Sequence, residues 1–353
     1  MKSKKGIVEV QFNWIFVLIV GGILIITVTS VIIKQKNSAE NSIRITLLNT
    51  LRSLIASSSV SSGATMSASM PKAEVVYECN KFSIGDISKS YNGLVMFGPS
   101  SLKGKNISMQ NIVLDMPYRT ANFLYTSTDD VNYIFVYESS NTFAKSVDES
   151  ISPKFKKSKT DSTLSGISND FNYKVRFIFF ETLISDFSNT PLSQFNSMPD
   201  KDVTAVLVNS EADENAGTVT YYRKNNNAGN YEWNSVSMVN TVNYFKMPSL
   251  IGAIFMDSGE ETAEQYNCVM DNALQRMKMV TEFYKRKVES FQGNPQISAA
   301  CKVHYSNLIT PTNIFSTIID NLDKKDFAKM LLSINDLVKT NAELQSNSCP
   351  LIY

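Results

Sequence analysis

The chain has 353 residues, with 34 lysines and arginines against 33 aspartates and glutamates, which gives a formal net charge of +1. Because there is no basic excess, the composition argues against a nucleic-acid-binding protein. Hydrophobic residues make up 43% of the chain and aromatic residues 10%, which excludes a disordered protein and is typical of a chain that folds around a core.

The N-terminal segment predicts a transmembrane helix. A run of 22 uncharged residues, 12–33, follows a tail of residues 1–11 with three lysines in its first five positions. A helix of this length rises about 33 Å, enough to cross the hydrocarbon core of a bilayer. Because lysines are retained in the cytoplasm, we expect residues 34–353 outside it. The alternative, a cleaved signal peptide, requires a shorter apolar run that ends in small residues.

Residues 34–56 continue the helical pattern as an amphipathic stalk. Their apolar residues recur at spacings of three and four and form one stripe. The stripe can pack on the protein's own folded domain, the simpler interpretation, or against a second copy beside the membrane. Residues 57–72 are mostly small and lack periodicity, so they are predicted to form a flexible linker.

Residues 73–257 have the pattern of an α/β domain. Near-continuous apolar runs indicate strands that are buried on both faces, as in parallel sheets. Residues 142–150 and 183–195 are predicted to cover the sheet as helices, and a hairpin is predicted from residues 218–223 and 231–238. The buried strands are predicted at residues 131–137 (VNYIFVY), 173–180 (YKVRFIFF), 203–208 (VTAVLV) and 250–256 (LIGAIFM).

The last part of the chain, residues 258–353, predicts a helical subdomain. Ser258 and Glu261 have the spacing of a capping box at the start of a long helix that ends near residue 291. Its apolar residues suit packing on the domain's own sheet or, alternatively, a short coiled coil. Further helices are predicted at residues 312–321 and 327–344. The fold class is therefore α/β: a transmembrane helix, an extracytoplasmic α/β sandwich with a mostly parallel sheet, and a C-terminal helical subdomain.

The four cysteines, Cys79, Cys268, Cys301 and Cys349, all lie beyond the predicted membrane helix. An even number outside the cytoplasm predicts two disulfides, with three possible connectivities. A helix from Cys268 to about residue 291 rises about 35 Å. A bond between Cys268 and Cys301 would require the ten residues after this helix to be almost fully extended, so that Cys301 could reach the start of the helix. We therefore favour Cys79–Cys268 together with Cys301–Cys349.

No complete catalytic motif is present in the sequence. Residues 98–106 resemble a phosphate-binding loop, but five residues separate the two glycines and Asn106 occupies the place of the required hydroxyl residue. Ser100 and Lys103 match a Ser-x-x-Lys pattern without its companion motifs. The one histidine, His304, cannot complete a zinc site with oxidised cysteines. The sequence therefore favours a binding protein over an enzyme.

Polar residues follow the four predicted buried strands. Glu138, Glu181 and Asp257 end three of them, and Asn209 ends the fourth. Ligands of open α/β sheets bind outside the carboxyl ends of the strands, so these side chains are expected to converge on one crevice. Three carboxylates would suit Mg²⁺ or Ca²⁺, with Asn209 as a further ligand-binding residue. The alternative is that the strands simply end in polar residues.

Segments of the chain resemble two groups of proteins. Lys4-Lys5-Gly6 followed by Glu9 is similar to the leader of type IV prepilins, in which cleavage follows the glycine. In prepilins the glutamate comes five residues after the glycine, whereas Glu9 comes three residues after Gly6. The segments Gln11-Phe-Asn-Trp-Ile-Phe-Val-Leu-Ile19, Asn122-Phe-Leu-Tyr125 and Tyr266-Asn-Cys268 resemble uncharacterised single-pass archaeal membrane proteins, for which no activity is assigned.

These observations lead to three hypotheses for function. The first is a non-enzymatic, membrane-anchored binding or assembly protein of the cell envelope, whose partners are the membrane and other envelope proteins or a second copy bound through the stalk. The second is an anchored enzyme or ligand-binding domain with Mg²⁺ or Ca²⁺ at the carboxyl ends of its strands. The third is a pilin-like filament or secretion-system subunit.

Overall fold

A computed structural model describes residues 5–58, 63–70, 73–91, 93–164, 167, 174–181, 195, 198–211, 214–223, 238–309 and 313–353. The chain divides into two units, Met1–Leu51 and Arg52–Tyr353. The predicted helix at 183–195, apart from Phe195, and the hairpin residues 231–237 lie outside the described residues. Within the described ranges the second unit contains fourteen strands and six helices beyond the N-terminal helix.

The N-terminal helix α1 runs without a break from Lys5 to Ser58. It therefore includes both the predicted membrane helix and the predicted stalk in one element. The apolar side chains of its residues 16–33 are largely uncovered by protein, and Leu18 and Ile25 are each 69% exposed. By length and composition this helix can cross a membrane.

Three sheets form the second unit. The small sheet has the strand order β4-β3-β2-β6, the side sheet β1-β7-β8-β5, and the central sheet β10-β9-β11-β12-β13-β14. Their strands in chain order are β1 (Thr65–Ser69), β2 (Val75–Glu78), β3 (Lys81–Ile84), β4 (Ile87–Ser90), β5 (Met96–Phe97), β6 (Ser101–Leu102), β7 (Asn106–Asp115), β8 (Arg119–Thr128), β9 (Val131–Val136), β10 (Lys157–Thr160), β11 (Lys174–Phe180), β12 (Val203–Ser210), β13 (Ala216–Arg223) and β14 (Met238–Phe245).

The central sheet is only partly parallel. Strands β10, β9, β11 and β12 pair in parallel, whereas β13 and β14 are antiparallel additions at one edge. The three apolar runs that begin near residues 131, 173 and 203 are strands β9, β11 and β12, as predicted. The prediction of a mostly parallel sheet thus applies to four strands of this sheet, since the side and small sheets are mainly antiparallel.

The predicted linker is partly a strand. Residues 65–69 form β1 at the edge of the side sheet, where they pair with β7. The hydroxyls of Ser67 and Ser108 lie 2.9 Å apart across this pair. Pairing with β7 satisfies the backbone of a segment whose composition alone indicates flexibility.

The run at residues 250–256 is a helix and not the predicted strand. Helix α3 (Lys246–Phe255) lies between the side sheet and the central sheet, and contacts strands of both. The Tyr125 hydroxyl of the side sheet donates to the carbonyl of Pro248 at 2.8 Å, and the Tyr221 hydroxyl of the central sheet donates to that of Ala253 at 2.9 Å. A helix covered on all sides has no polar face, so its sequence cannot be distinguished from that of a buried strand.

The long C-terminal helix begins later than predicted. Ser258 does not cap it; instead the Thr262 hydroxyl accepts from the Gly259 N–H at 2.7 Å and donates to the Asp257 carbonyl at 2.5 Å. Ser258 is buried and accepts a hydrogen bond from Arg176. The remaining helices are α2 (Thr142–Ser150), which coincides with its prediction, α4 (Thr262–Gly293), α5 (Ala299–Ile309), α6 (Ile314–Lys324) and α7 (Phe327–Ser346).

The disulfides join Cys79 to Cys268 and Cys301 to Cys349, as predicted. The first attaches the small sheet to α4. The second holds the C-terminal residues, of which Ile352 is fully buried, against the helices. Lys287 on α4 donates to the carbonyl of Ile352 at 2.8 Å.

Candidate binding cleft at the carboxyl ends of the parallel strands

The strand order of the central sheet reverses between β9 and β11. The chain leaves β9 through α2 towards β10 on one side, and leaves β11 towards β12 on the other. Helix α2 packs on one face of the sheet through Phe143 and Val147, whereas Phe195, before β12, packs with Phe177 on the opposite face. A reversal of strand order leaves a crevice at the carboxyl ends of the two strands, and ligands of open α/β sheets bind at such a position.

A cleft of about 500 Å³ lies at this position. Its volume is within the range of small-molecule sites, roughly 300–1,000 Å³. Two predicted ligand residues, Glu138 and Glu181, both line it, together with Val136, Tyr137, Ser140, Asn141, Thr142, Phe143, Ser162, Phe179, Phe180 and Glu214.

The loop after β9 is held by two side chains. The Glu138 carboxylate accepts hydrogen bonds from the Ser162 hydroxyl at 2.9 Å and from the Ser162 N–H at 3.3 Å. The Asn141 side chain caps α2 by accepting from the Ala144 N–H at 2.8 Å. The loop therefore presents Glu138 in a fixed place beside the start of the helix.

Glu181 follows β11 with a left-handed backbone, φ +63°. This conformation costs a residue with a Cβ roughly 1–2 kcal/mol. The Glu181 N–H donates to the carbonyl of Val208 at 2.8 Å, which extends the pairing with β12 by one residue and holds the backbone in place. Glu214, in the turn before β13, has a similar backbone with φ +57°.

Aromatic rings line the inner part of the cleft. The Phe180 ring lies 6.1 Å from that of Tyr137 and 6.0 Å from that of Phe143, each edge to face. The Lys159 ammonium lies 4.2 Å from the centroid of the Tyr137 ring. Burial, and then the hydrogen bond to Asp148, raise the pKa of Tyr137, so its hydroxyl stays protonated and donates to that carboxylate at 3.0 Å.

Asp257 lies at the other end of the sheet. Its carboxylate is 3.0 Å from the ammonium of Lys174, which begins β11, whereas Glu181 follows the last residue of that strand. A strand of this length separates the two sites by roughly 20 Å. The predicted convergence of Asp257 with Glu138 and Glu181 therefore does not occur, because the segment before Asp257 is a helix that reaches the amino end of the sheet.

The surroundings of Asp257 are those of a structural ion pair. It accepts hydrogen bonds from the Ser100 N–H at 2.7 Å and hydroxyl at 2.6 Å, and Arg176 lies at 4.0 Å. Burial alone would raise the pKa of the Asp257 carboxyl, but the charges of Lys174 and Arg176 and the bond from Ser100 outweigh burial and lower it. Arg176, 4% exposed, also donates to the carbonyl of Ile254 at the end of α3. The network joins α3 to the central sheet.

Asn209 borders a different cavity of about 630 Å³. This cavity lies between the ends of β12, β13 and β14 and the turn from α6 to α7, where it includes Lys324 and Asp326. The four residues that were predicted to converge therefore lie in three separate places. Glu138 and Glu181 line the cleft, Asn209 borders this cavity, and Asp257 belongs to the ion-pair network at the other end of the sheet.

Several lining residues were not predicted. Asn141 was detectable, since an asparagine directly before a predicted helix is a common N-cap. Glu214 and Ser162 were not, because they reach the cleft from a turn and a loop whose positions depend on strand order.

Among the described residues, no three side chains of histidine, cysteine, aspartate or glutamate are grouped as metal ligands. Comparisons with protein families, with characterised proteins and with solved structures give no significant match.

Proposed function

We propose that this protein is a membrane-anchored, non-enzymatic binding or assembly protein of the cell envelope, with its folded unit outside the cytoplasm. The observation that carries the proposal is the exposed apolar surface of α1, from Phe16 at 65% to Ile33 at 53%. Burying apolar surface is worth roughly 25 cal/mol per Å², so a helix of this kind is stable in hydrocarbon and not in water.

The two disulfides support an extracytoplasmic location. Disulfides persist in oxidising compartments and are rare in the cytoplasm. All four cysteines of the chain are used in them, and all lie beyond α1. The lysines before α1 favour a cytoplasmic N-terminus, which is consistent with the same arrangement.

Labelling of single introduced cysteines in intact cells tests the orientation. Ser88→Cys, at an exposed position of β4, is expected to react with a membrane-impermeant maleimide, whereas Ser3→Cys is expected to react only after the membrane is dissolved. Wild-type protein, whose cysteines are oxidised, is the unlabelled control. The reverse pattern would reject the proposed topology.

Cross-linking in intact membranes tests the binding or assembly role. Full-length protein is expected to form a discrete cross-linked species with an envelope protein or with a second copy. A protein that stays monomeric after cross-linking, and that purifies alone in mild detergent, would contradict the proposal.

Two alternatives have one supporting observation each. Glu138 and Glu181 line the same cleft, which favours a ligand-binding or enzymatic domain with Mg²⁺ or Ca²⁺ as the second candidate. A rise in the melting temperature with either cation would support it, and no change would exclude it. The unbroken α1 is compatible with a pilin-like stem, and a mature N-terminus at Ile7, read by mass spectrometry, would favour that third candidate.

A further inference from the structure

We propose that the cleft between β9 and β11 binds an organic cation, namely the ammonium or guanidinium group of a basic side chain or of a small amine. The inference deepens the proposed function, on which it rests, because it names the chemistry by which the extracytoplasmic unit would hold a partner. Three features carry it: the place of the cleft in the sheet, the charge of its rim and the aromatic rings inside it.

The charge of the cleft has one sign. Of the described residues that line it, three are glutamates, Glu138, Glu181 and Glu214, and none carries a positive charge. In the described part of the chain no basic side chain forms an ion pair with Glu181 or Glu214, whereas Glu138 is held by Ser162. The N-terminus of α2 contributes only about half a positive charge, part of which the Asn141 cap offsets, so the cleft favours a cation.

The interior favours an organic cation over a bare metal ion. Among the described residues the three carboxylates are not gathered into a metal-binding group, so they can surround a larger cation but do not converge on one point. The walls are aromatic, with the ring of Phe180 in contact with those of Tyr137 and Phe143. Aromatic faces bind ammonium and guanidinium groups.

The chain itself provides an example of this contact. The ammonium of Lys159, on β10, already lies 4.2 Å from the centroid of the Tyr137 ring. A ring of the cleft therefore accommodates an ammonium group within this molecule. The carboxylates at the rim would hold the charged end of a second cation, and the alkyl chain would contact Phe143 and Phe180.

Calorimetric titration of the full-length protein in detergent at low salt tests the inference. The probes are N-acetyl-lysine amide, N-acetyl-arginine amide and, as an uncharged analogue with the four side-chain carbons of lysine but no ammonium group, N-acetyl-norleucine amide. We expect the two charged amides to bind at least about tenfold more tightly than the uncharged one, and to weaken as salt is added. A comparison with n-butylamine distinguishes the sources, since tighter binding of the amides indicates a partner's side chain and equal binding indicates a small amine.

Charge-removing variants of the glutamates that line the cleft test whether the probes bind there. Glu181→Gln and Glu214→Gln remove one charge each at exposed positions, and each is expected to weaken the charged probes about fivefold. Glu289→Gln, on the exposed face of α4, is the matched control and is expected to leave binding unchanged.

Three results would overturn the inference: equal binding of the uncharged amide, unchanged binding by both cleft variants, or saturable binding of Mg²⁺ that excludes the amides. The last would support the divalent-cation candidate instead. The maleimide labelling is independent of these titrations. A negative titration would therefore not contradict the membrane topology, and a negative labelling result would not contradict the chemistry of the cleft.

Discussion

The ammonium of Lys174 lies 3.0 Å from both carboxylate oxygens of Asp257, although 83 residues separate the two in the chain. The side chain of Lys174 is 12% exposed and that of Asp257 20%, so the pair is largely shielded from water. Arg176, beside them, adds a second buried positive charge. The pair therefore joins the amino end of the central sheet to the segment between α3 and α4.

Asp257→Asn is expected to lower the free energy of unfolding by about 3 kcal/mol. The substitution removes the carboxylate that lies 3.0 Å from Lys174 and 4.0 Å from Arg176, and removing one partner of a shielded pair is costly. Urea unfolding of the full-length protein, followed by circular dichroism, measures the loss. Asp323→Asn is the control, since Asp323 pairs with Lys278 at 2.7 Å on the surface and is expected to cost less than about 1 kcal/mol. Equal losses would contradict a structural role for Asp257.

The same carboxylate predicts a pH dependence. The pKa of Asp257 is lowered in the folded state, whereas an unfolded aspartate titrates near 3.9. Its ionised form therefore contributes stability that is fully present above about pH 4 and is lost as the pH falls through the folded value. We expect the stability difference between wild type and Asp257→Asn to shrink below pH 4. A difference that stays constant from pH 5 to pH 2 would exclude this assignment.

Glu181→Gly is expected to raise the free energy of unfolding by about 0.5–1 kcal/mol. Glycine adopts the left-handed backbone of this position without a Cβ penalty, although it adds entropy to the unfolded chain. Glu181→Gln keeps the strain and removes only the charge, so its stability should match that of wild type. Thermal unfolding of the three proteins separates backbone strain from charge, and a destabilised Glu181→Gly would show that the side chain supports the fold.

Gly252→Ala is expected to lower the free energy of unfolding by at least about 1 kcal/mol. A Cβ at this position of α3 would lie 2.9 Å from the ring of Phe97, which is fully buried among other aromatic rings. Overpacking costs about 1–3 kcal/mol, and the better helix propensity of alanine returns at most about 1 kcal/mol. Gly293→Ala, at the end of α4 with open space around it, is the control and should be neutral or slightly stabilising. Urea midpoints of both variants decide the comparison.

Removal of either disulfide is expected to destabilise the protein, with a small difference between the two. The loops they close have sequence separations of 189 and 48 residues, which correspond to about 5 and 4 kcal/mol of chain entropy. The double serine variants at Cys79 and Cys268, and at Cys301 and Cys349, should therefore differ by about 1 kcal/mol in denaturant unfolding. A larger loss from the shorter loop would mean that the buried C-terminal residues contribute more than the loop entropy.

The elements that could be predicted from the sequence are those with a recognisable residue pattern within their own segment. Strands β9, β11 and β12, helix α2 and both disulfides were predictable because each has an apolar run, a cap or a spacing of its own. Strands β7 and β8 were not, since they bury polar residues such as Asn111 and Thr126 and show neither alternation nor a continuous apolar run. Helix α3 was mistaken for a strand because its burial on all sides removes the polar face that identifies a helix.

Those residues of the candidate site whose positions depend only on strand direction could be predicted from the sequence. Parallel strands end at the same edge, which is why Glu138 and Glu181 were expected at one crevice, and both residues line the cleft. The position of Asp257 depended on the identity of α3, and the error in that element moved the residue to the wrong end of the sheet. Strand order, which decides whether Asn209 or Glu214 reaches the cleft, arises from long-range pairing that one sequence does not reveal.

The burial of α3 between two sheets has a consequence for how the chain folds. Every strand of both sheets precedes residue 246 in the sequence, so the apolar faces that will cover α3 are synthesised before it. If the chain after α1 is translocated in sequence order, these faces must stay unpaired with their helix until residue 255 has emerged. Contacts between residues this distant in sequence form slowly during folding, and strands that remain exposed in that time are prone to aggregate. A chain truncated after β14 should therefore collapse without a unique structure, even though it contains all fourteen strands that the structure describes.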